Sequence, residues 1–186
     1  LQDGNDISGN NNDGISIDGP GVLTISGNLI QNNGSGGQDD AGIDFHGQTF
    51  NDTTIVNNNI SDNAGDGIQY EGDGVFGSIA VISGNNLSFN DRRGFNMLVQ
   101  PSGAGVSDVD VTFNNNIVSN NLLEGVYVVF TASRNQTIGA SSTTALLSDG
   151  NFTDSPTLRF NADGNQVTAN GINSGFSTTG MVVRIG

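Results

Sequence analysis

The single histidine of the chain, His46, stands two residues after Asp44 in the run "GIDFHG". Side chains two apart in an extended segment project from the same face, so this run as a strand sets a carboxylate beside an imidazole. Such a pair can hold or move a proton near neutral pH. Other glycine-led runs offer matching positions, two and four places after the glycine: Asp18 in "GISIDG", Gln69 and Glu71 in "GIQYEG", Asn96 in "GFNMLV" and Tyr127 in "GVYVVF". If these runs stack as neighbouring strands, Asp44, His46 and Glu71 form a candidate catalytic cluster, and Asp18, Gln69, Asn96 and Tyr127 a candidate binding surface around it. Two carboxylates about 5 Å apart can divide into acid and nucleophile on a glycosidic bond. Alternatively, His46 can abstract a proton beside a uronate carboxylate. Elimination of that kind needs a cation against the substrate carboxylate. The chain has no lysine, and the nearest arginines, Arg92 and Arg93, fall in a turn. A solvated polar strand face accounts for the same residues, so the expectation leans toward binding without catalysis.

A second chemistry is metal binding. Asp39 and Asp40 lie in the glycine-rich run "QNNGSGGQDDAG", and carboxylate and carbonyl oxygens suit calcium. Calcium is therefore a candidate ion there, although no cofactor is required by any motif, and the Gly-Gly-x-Gly-x-Asp calcium repeat is absent. The Asn-x-Ser/Thr triplets at Asn51, Asn59, Asn86, Asn135 and Asn151 are expected in a chain this rich in asparagine.

What must position these residues is a repeat. Ile7, Ile30, Ile60, Leu87, Val118 and Val167 each have Asn two places before and Asn three places after. The first column is Asn5, Asn28, Asn58, Asn85, Asn116 and Asn165; the second is Asn10, Asn33, Asn63, Asn90, Asn121 and Asn170. The glycine-led column follows, with apolar residues one and three places later: Ile15 and Ile17, Ile43 and Phe45, Ile68 and Tyr70, Phe95 and Met97, Val126 and Val128, Met181 and Val183. Five places before the aliphatic anchor come Ile25, Ile55, Ile82, Phe113 and Ala162, with Gln2 leaving the first repeat incomplete. Each repeat thus supplies three short strands, and the anchors are separated by 23, 30, 27, 31 and 49 residues. Unequal coils of this kind imply a solenoid with side loops.

The columns have a physical reason. Parallel strands stack about 4.8 Å apart, so a residue recurring at one coil position meets its own copy above and below. Stacked Asn can satisfy neighbouring amides with both donor and acceptor while tolerating left-handed backbone, and glycine is expected where the bend needs positive φ. With 34% apolar residues and a formal net charge of −14, composition alone is compatible with disorder. The unbroken columns argue for order, because a narrow core with a mostly solvated perimeter needs few apolar residues.

This pattern resembles the right-handed parallel β-helix of the pectate-lyase-like superfamily, from about residue 5 to 185. The resemblance implies an all-β, single-stranded solenoid of about six coils with three short strands per coil. The "DFH" run, with an acid on the next coil, is similar to the Asp-x-His strand of alginate epimerases and lyases of that fold. The fold itself hosts lyases, hydrolases, epimerases, adhesins and phage spikes, so it does not choose among functions.

Residues 1–186 are expected to form one β-helical domain, a fragment of something longer, with a side loop at about 130–157. That loop carries Ile138, Leu146 and Leu147, enough apolar surface to pack on the flank as a wall or lid. Neither end has a cap, which predicts continuation of the chain or end-to-end self-association. The acidic balance argues against nucleic acid, whose phosphates are bound through clustered Lys and Arg, and no apolar run is long enough for a membrane helix. Cysteine is absent. The expectation is an extracellular or cell-surface bacterial module that binds polysaccharide or a surface partner. The alternatives are a polysaccharide lyase, epimerase or glycosidase using Asp44, His46 and Glu71, and a structural spacer or filament unit.

Overall fold

The computed structural model describes residues 1–19, 21–36, 40–46, 52–72, 78–99, 109–130, 137–141, 144–148, 158–171 and 180–185. The described chain is all-β and winds through three parallel sheets, visiting each once per coil. The anchor sheet consists of Asp6–Ser8, Leu29–Gln31, Asn59–Ser61, Asn86–Ser88, Ile117–Ser119 and Gln166–Thr168. The glycine-led sheet consists of Ile15–Asp18, Ile43–His46, Ile68–Gly72, Phe95–Val99, Val126–Phe130 and Met181–Ile185. A third sheet stacks Leu23–Ser26, Thr53–Val56, Ser78–Ser83, Val109–Asn114 and Leu158–Asp163.

The apolar columns of the sequence are register columns of the sheets. Ile7 pairs with Ile30, then Ile60, Leu87, Val118 and Val167 in turn. Ile25, Ile55, Ile82, Phe113 and Ala162 do the same in the third sheet. The incomplete first repeat shows as an isolated bridge from Gln2 to Ser26. The inward residues of the middle coils are almost fully buried, Ile30, Ile43, Ile60, Leu87, Phe113, Val118 and Val126 completely so. Each contributes roughly 1.5–3 kcal/mol by leaving water. The upper core is aromatic: Phe95 stacks on Phe113 with centroids 5.1 Å apart, and Phe160 lies 6.1 Å from Phe113.

Both Asn columns are continuous side-chain hydrogen-bond ladders. In the second, Asn10, Asn33, Asn63, Asn90 and Asn121 each donate Nδ2 to the Oδ1 of the next Asn, at 2.8–3.0 Å. Each Nδ2 from Asn33 onward also donates to an anchor carbonyl one coil below, as Asn90 does to Ile60 and Asn121 to Leu87. The column Asn are not themselves the left-handed residues. That conformation falls one place earlier, at Gly27, Asn57, Gly84, Asn115 and Gly164 before the first column and at Gly9, Asn32, Asp62, Phe89, Asn120 and Ala169 before the second. The anchor strand is thereby flanked by two left-handed corners in each coil.

Phe89 is anomalous in this set, since a bulky side chain is disfavoured at φ of 57°. It is also 56% exposed, so its ring gains little from burial. Phe89→Asn is expected to stabilise the protein by about 0.5–1 kcal/mol, read as a rise in Tm, and a fall would show that the ring packs productively.

The glycine column departs from expectation. Gly14, Gly42, Gly67, Gly94, Gly125 and Gly180 are not among the positive-φ residues. From Gly14 to Gly125 glycine is required by close approach: a Cβ at Gly42 would stand 2.7 Å from the Gly67 carbonyl oxygen, and one at Gly125 2.8 Å from that of Gly180. Within 130–157, the described residues form two strands, Thr137–Ser141 and Thr144–Ser148, paired antiparallel to each other. The second pairs antiparallel with Leu158–Asp163, so the insertion's described strands extend the edge of the third sheet.

Candidate functional site

The glycine-led sheet brings the sequence-selected residues into two rows. Two places after the glycine, Asp44, Gln69, Asn96 and Tyr127 are successive register partners. Four places after it, Asp18, His46 and Glu71 are successive partners. The rows differ in access. Asp44, Gln69 and Asn96 are buried, at 1%, 3% and 3% exposure, whereas Asp18, His46 and Glu71 are exposed. A uniformly solvated outer face is therefore not what these strands present.

The residue immediately before each glycine accounts for much of the difference. Asp66 Oδ1 accepts the Arg93 backbone N–H at 2.8 Å, and its Oδ2 accepts Asn96 Nδ2 at 2.7 Å. Asp13 Oδ1 accepts the Ala41 N–H at 2.8 Å in the equivalent way. Arg93 pairs through Nε with Glu124 Oε2 at 2.9 Å, and its guanidinium lies 4.4 Å from the centroid of the Tyr127 ring. Tyr127 is thus half-buried under a cation–π contact. This pre-glycine column (Asp13, Asp66, Arg93, Glu124) folds over the inner row. Its signal in the sequence is a charged residue directly before the glycine, in "NDGI", "GDGI", "RRGF" and "LEGV".

Asp44 and His46 are in direct contact, His46 Nε2 lying 2.5 Å from Asp44 Oδ2. Asp13, absent from the sequence expectation, completes the group with Oδ2 3.9 Å from the same nitrogen. The imidazole is half-exposed, Asp13 is mostly covered and Asp44 is buried. With Nε2 turned to Asp44, Nδ1 is the ring nitrogen available to a ligand. Glu71 joins by register beside His46 on the next strand. Asp40 is buried and its Oδ2 accepts the Ser35 N–H at 2.8 Å, while Asp39 lies outside the described residues.

Asp66 titrates abnormally. Burial pushes its carboxyl above the ordinary Asp value of 3.8, against the opposing pull of the Arg93 N–H, the Arg93 and Arg92 charges and Asn96. Folding therefore favours the protonated form. Its contribution is complete below the unfolded value and is lost as pH rises through the elevated folded one. Asp66→Asn keeps an acceptor for Arg93, and a rotated Asn96 amide can meet its new donor. The wild type is expected to lose stability relative to this variant between pH 4 and pH 7, read from urea midpoints; parallel pH profiles would contradict it.

Residues 1–142 match a family model described as a right handed beta helix region. No curated protein and no solved structure matches the chain significantly.

Proposed function

The chain belongs to the right-handed β-helix family, and from that premise we propose that it is a rigid, noncatalytic binding module of the cell surface or extracellular space. Its ligand is a polysaccharide, met by the exposed row of Asp18, His46 and Glu71. The observation that carries this reading is the register of that row. The three residues are partners on consecutive strands and so recur about every 4.8 Å along the solenoid, a straight polar ladder for the hydroxyls of an extended glycan. The buried inner row holds the strands beneath and takes no part in contact.

Affinity electrophoresis against neutral and uronate-containing polysaccharides tests it. Retardation by at least one glycan is expected, without new chain ends, and at least about tenfold weaker for the Asp18→Asn, Glu71→Gln double variant. Absence of retardation by any glycan would overturn the reading. One observation favours a second reading: the buried Asp44 carboxylate holds the exposed His46 imidazole, the arrangement of an oriented general base. New unsaturated or reducing ends that disappear in His46→Ala would replace the binding module with a lyase, epimerase or hydrolase.

A further inference from the structure

The lower coils repeat a motif of the upper ones with one change of chemistry. In the upper copy, the pre-glycine Asp66 spends Oδ1 on a backbone N–H one coil on and Oδ2 on the Asn96 amide. In the lower copy, Asp13 spends Oδ1 on the Ala41 N–H, but the position equivalent to Asn96 is Asp44. An amide donor is thus exchanged for a second carboxylate. Two acids directed at one place, one of them 1% exposed, repel each other unless a positive charge lies between them. The group nearest that place is His46 Nε2.

We propose that Asp13, Asp44 and His46 bind a divalent transition-metal ion. Their donor atoms all lie within 4.8 Å of one another. Ligands 2.0–2.2 Å from a metal stand roughly 3–3.6 Å apart, so the 2.5 Å and 3.9 Å separations at Nε2 reach that geometry by small side-chain rotations. The ion takes the place of a proton between Nε2 and Asp44, with neutral imidazole carrying its hydrogen on Nδ1. A nitrogen and two carboxylate oxygens suit zinc or manganese, whereas calcium prefers six to eight oxygens. A second, independent feature points to the same place. Gln69, the register partner of Asp44, is 3% exposed, and its Oε1 has no hydrogen-bond donor among the described residues. It supplies a further oxygen in the row beside Asp44. This site shares His46 with the exposed row but does not depend on glycan binding, because the metal is held between His46 Nε2 and the covered carboxylates of Asp13 and Asp44, and its titration is read without a glycan.

The chain stripped with chelator and titrated with ZnCl2, and separately with MnCl2 and CaCl2, tests the site. Uptake of one equivalent of Zn2+ or Mn2+ is expected, with a rise in Tm and little effect of Ca2+ at the same concentration. As the chain has one histidine, its ring NMR signals report directly, and they are expected to shift on Zn2+ and saturate at one equivalent. His46→Ala, a change at a half-exposed side chain, is expected to weaken uptake at least tenfold. Asp13→Asn, which retains an acceptor for the Ala41 N–H, is expected to weaken it by a similar factor. Asp91→Asn, an exposed acid elsewhere, is expected to leave it unchanged. Failure of both metals to bind, unmoved His46 signals, or uptake by the His46 and Asp13 variants equal to that of the wild type would overturn the proposal.

Discussion

Asn63→Ala is expected to destabilise the protein by about 3–5 kcal/mol, since each buried hydrogen-bonding group left without a partner costs about 1–3 kcal/mol. Asn63 is completely buried in the middle of its ladder. Its Oδ1 accepts both the Asn33 backbone N–H, at 3.1 Å, and Asn33 Nδ2, at 3.0 Å. Its Nδ2 donates to the Ile30 carbonyl at 3.3 Å and to Asn90 Oδ1 at 3.0 Å. All four bonding capacities of the amide are therefore used between coils, and an alanine strands two donors of Asn33 at once. Asn63→Asp is expected to be no milder, because it substitutes a carboxylate with no donor for Ile30 or Asn90 and adds a buried charge. The comparison that isolates the cause is Asn10→Ala at the end of the same column. Asn10 is exposed, and its side chain donates into the ladder but accepts no hydrogen bond from the described residues, so its loss is expected to cost under about 1 kcal/mol. Urea unfolding of the two variants reads the difference, and equal losses would mean that the ladder does not hold the coils.

The columns of Asn, Gly and aliphatic residues were legible because a parallel solenoid converts sequence period into vertical contact. A residue type needed at one corner is needed again at the same corner of the next coil. Ile60, Asn58 and Asn63 are therefore placed by the sequence period down to their partners on the neighbouring coils. Burial of the inner row was not legible by the same route. Alternation along "GIDFHG" assigns Asp44 to the face opposite Ile43 and Phe45 correctly, but it carries no information about what lies over that face. The cover comes from the turn, where Asp13, Asp66 and Arg93 reach across to the neighbouring coil. That reach depends on side-chain direction at a bend, which period does not encode. The same limit explains the chemistry of the site. Asp44 and His46 were paired by their spacing of two, whereas Asp13 is distant in sequence and arrives through the stacking of two coils. The role of the glycine column was likewise hidden, since intolerance of a Cβ has the same sequence signature whether its cause is φ or a neighbouring carbonyl.

That distinction gives the glycine column its own expected result: Gly67→Ala is expected to cost about 2–4 kcal/mol, the range of overpacking in a site that cannot relax. Gly67 is buried and its φ lies outside the left-handed region, so the alanine backbone would be unstrained in itself. Its Cβ, however, would stand 2.6 Å from the Gly94 carbonyl oxygen and 2.9 Å from Asn90 Nδ2. Neither neighbour is free to retreat. The Gly94 carbonyl accepts the Ile68 N–H at 3.0 Å, the Gly67 N–H donates to the Arg93 carbonyl at 2.8 Å, and Asn90 Nδ2 is held by Asn121 and Ile60. Relief therefore requires the two coils to separate, lengthening hydrogen bonds on both sides of the bend and loosening the strand that carries Gln69 and Glu71. Gly21→Ala is the matched control, because a Cβ there meets nothing within 4 Å and the residue has no positive φ. It is expected to be neutral or to stabilise by up to about 1 kcal/mol through the unfolded chain. Thermal unfolding distinguishes the pair: a large loss confined to Gly67 locates the requirement in the approach of one coil to the next, whereas similar small changes at both positions would remove that explanation for the column.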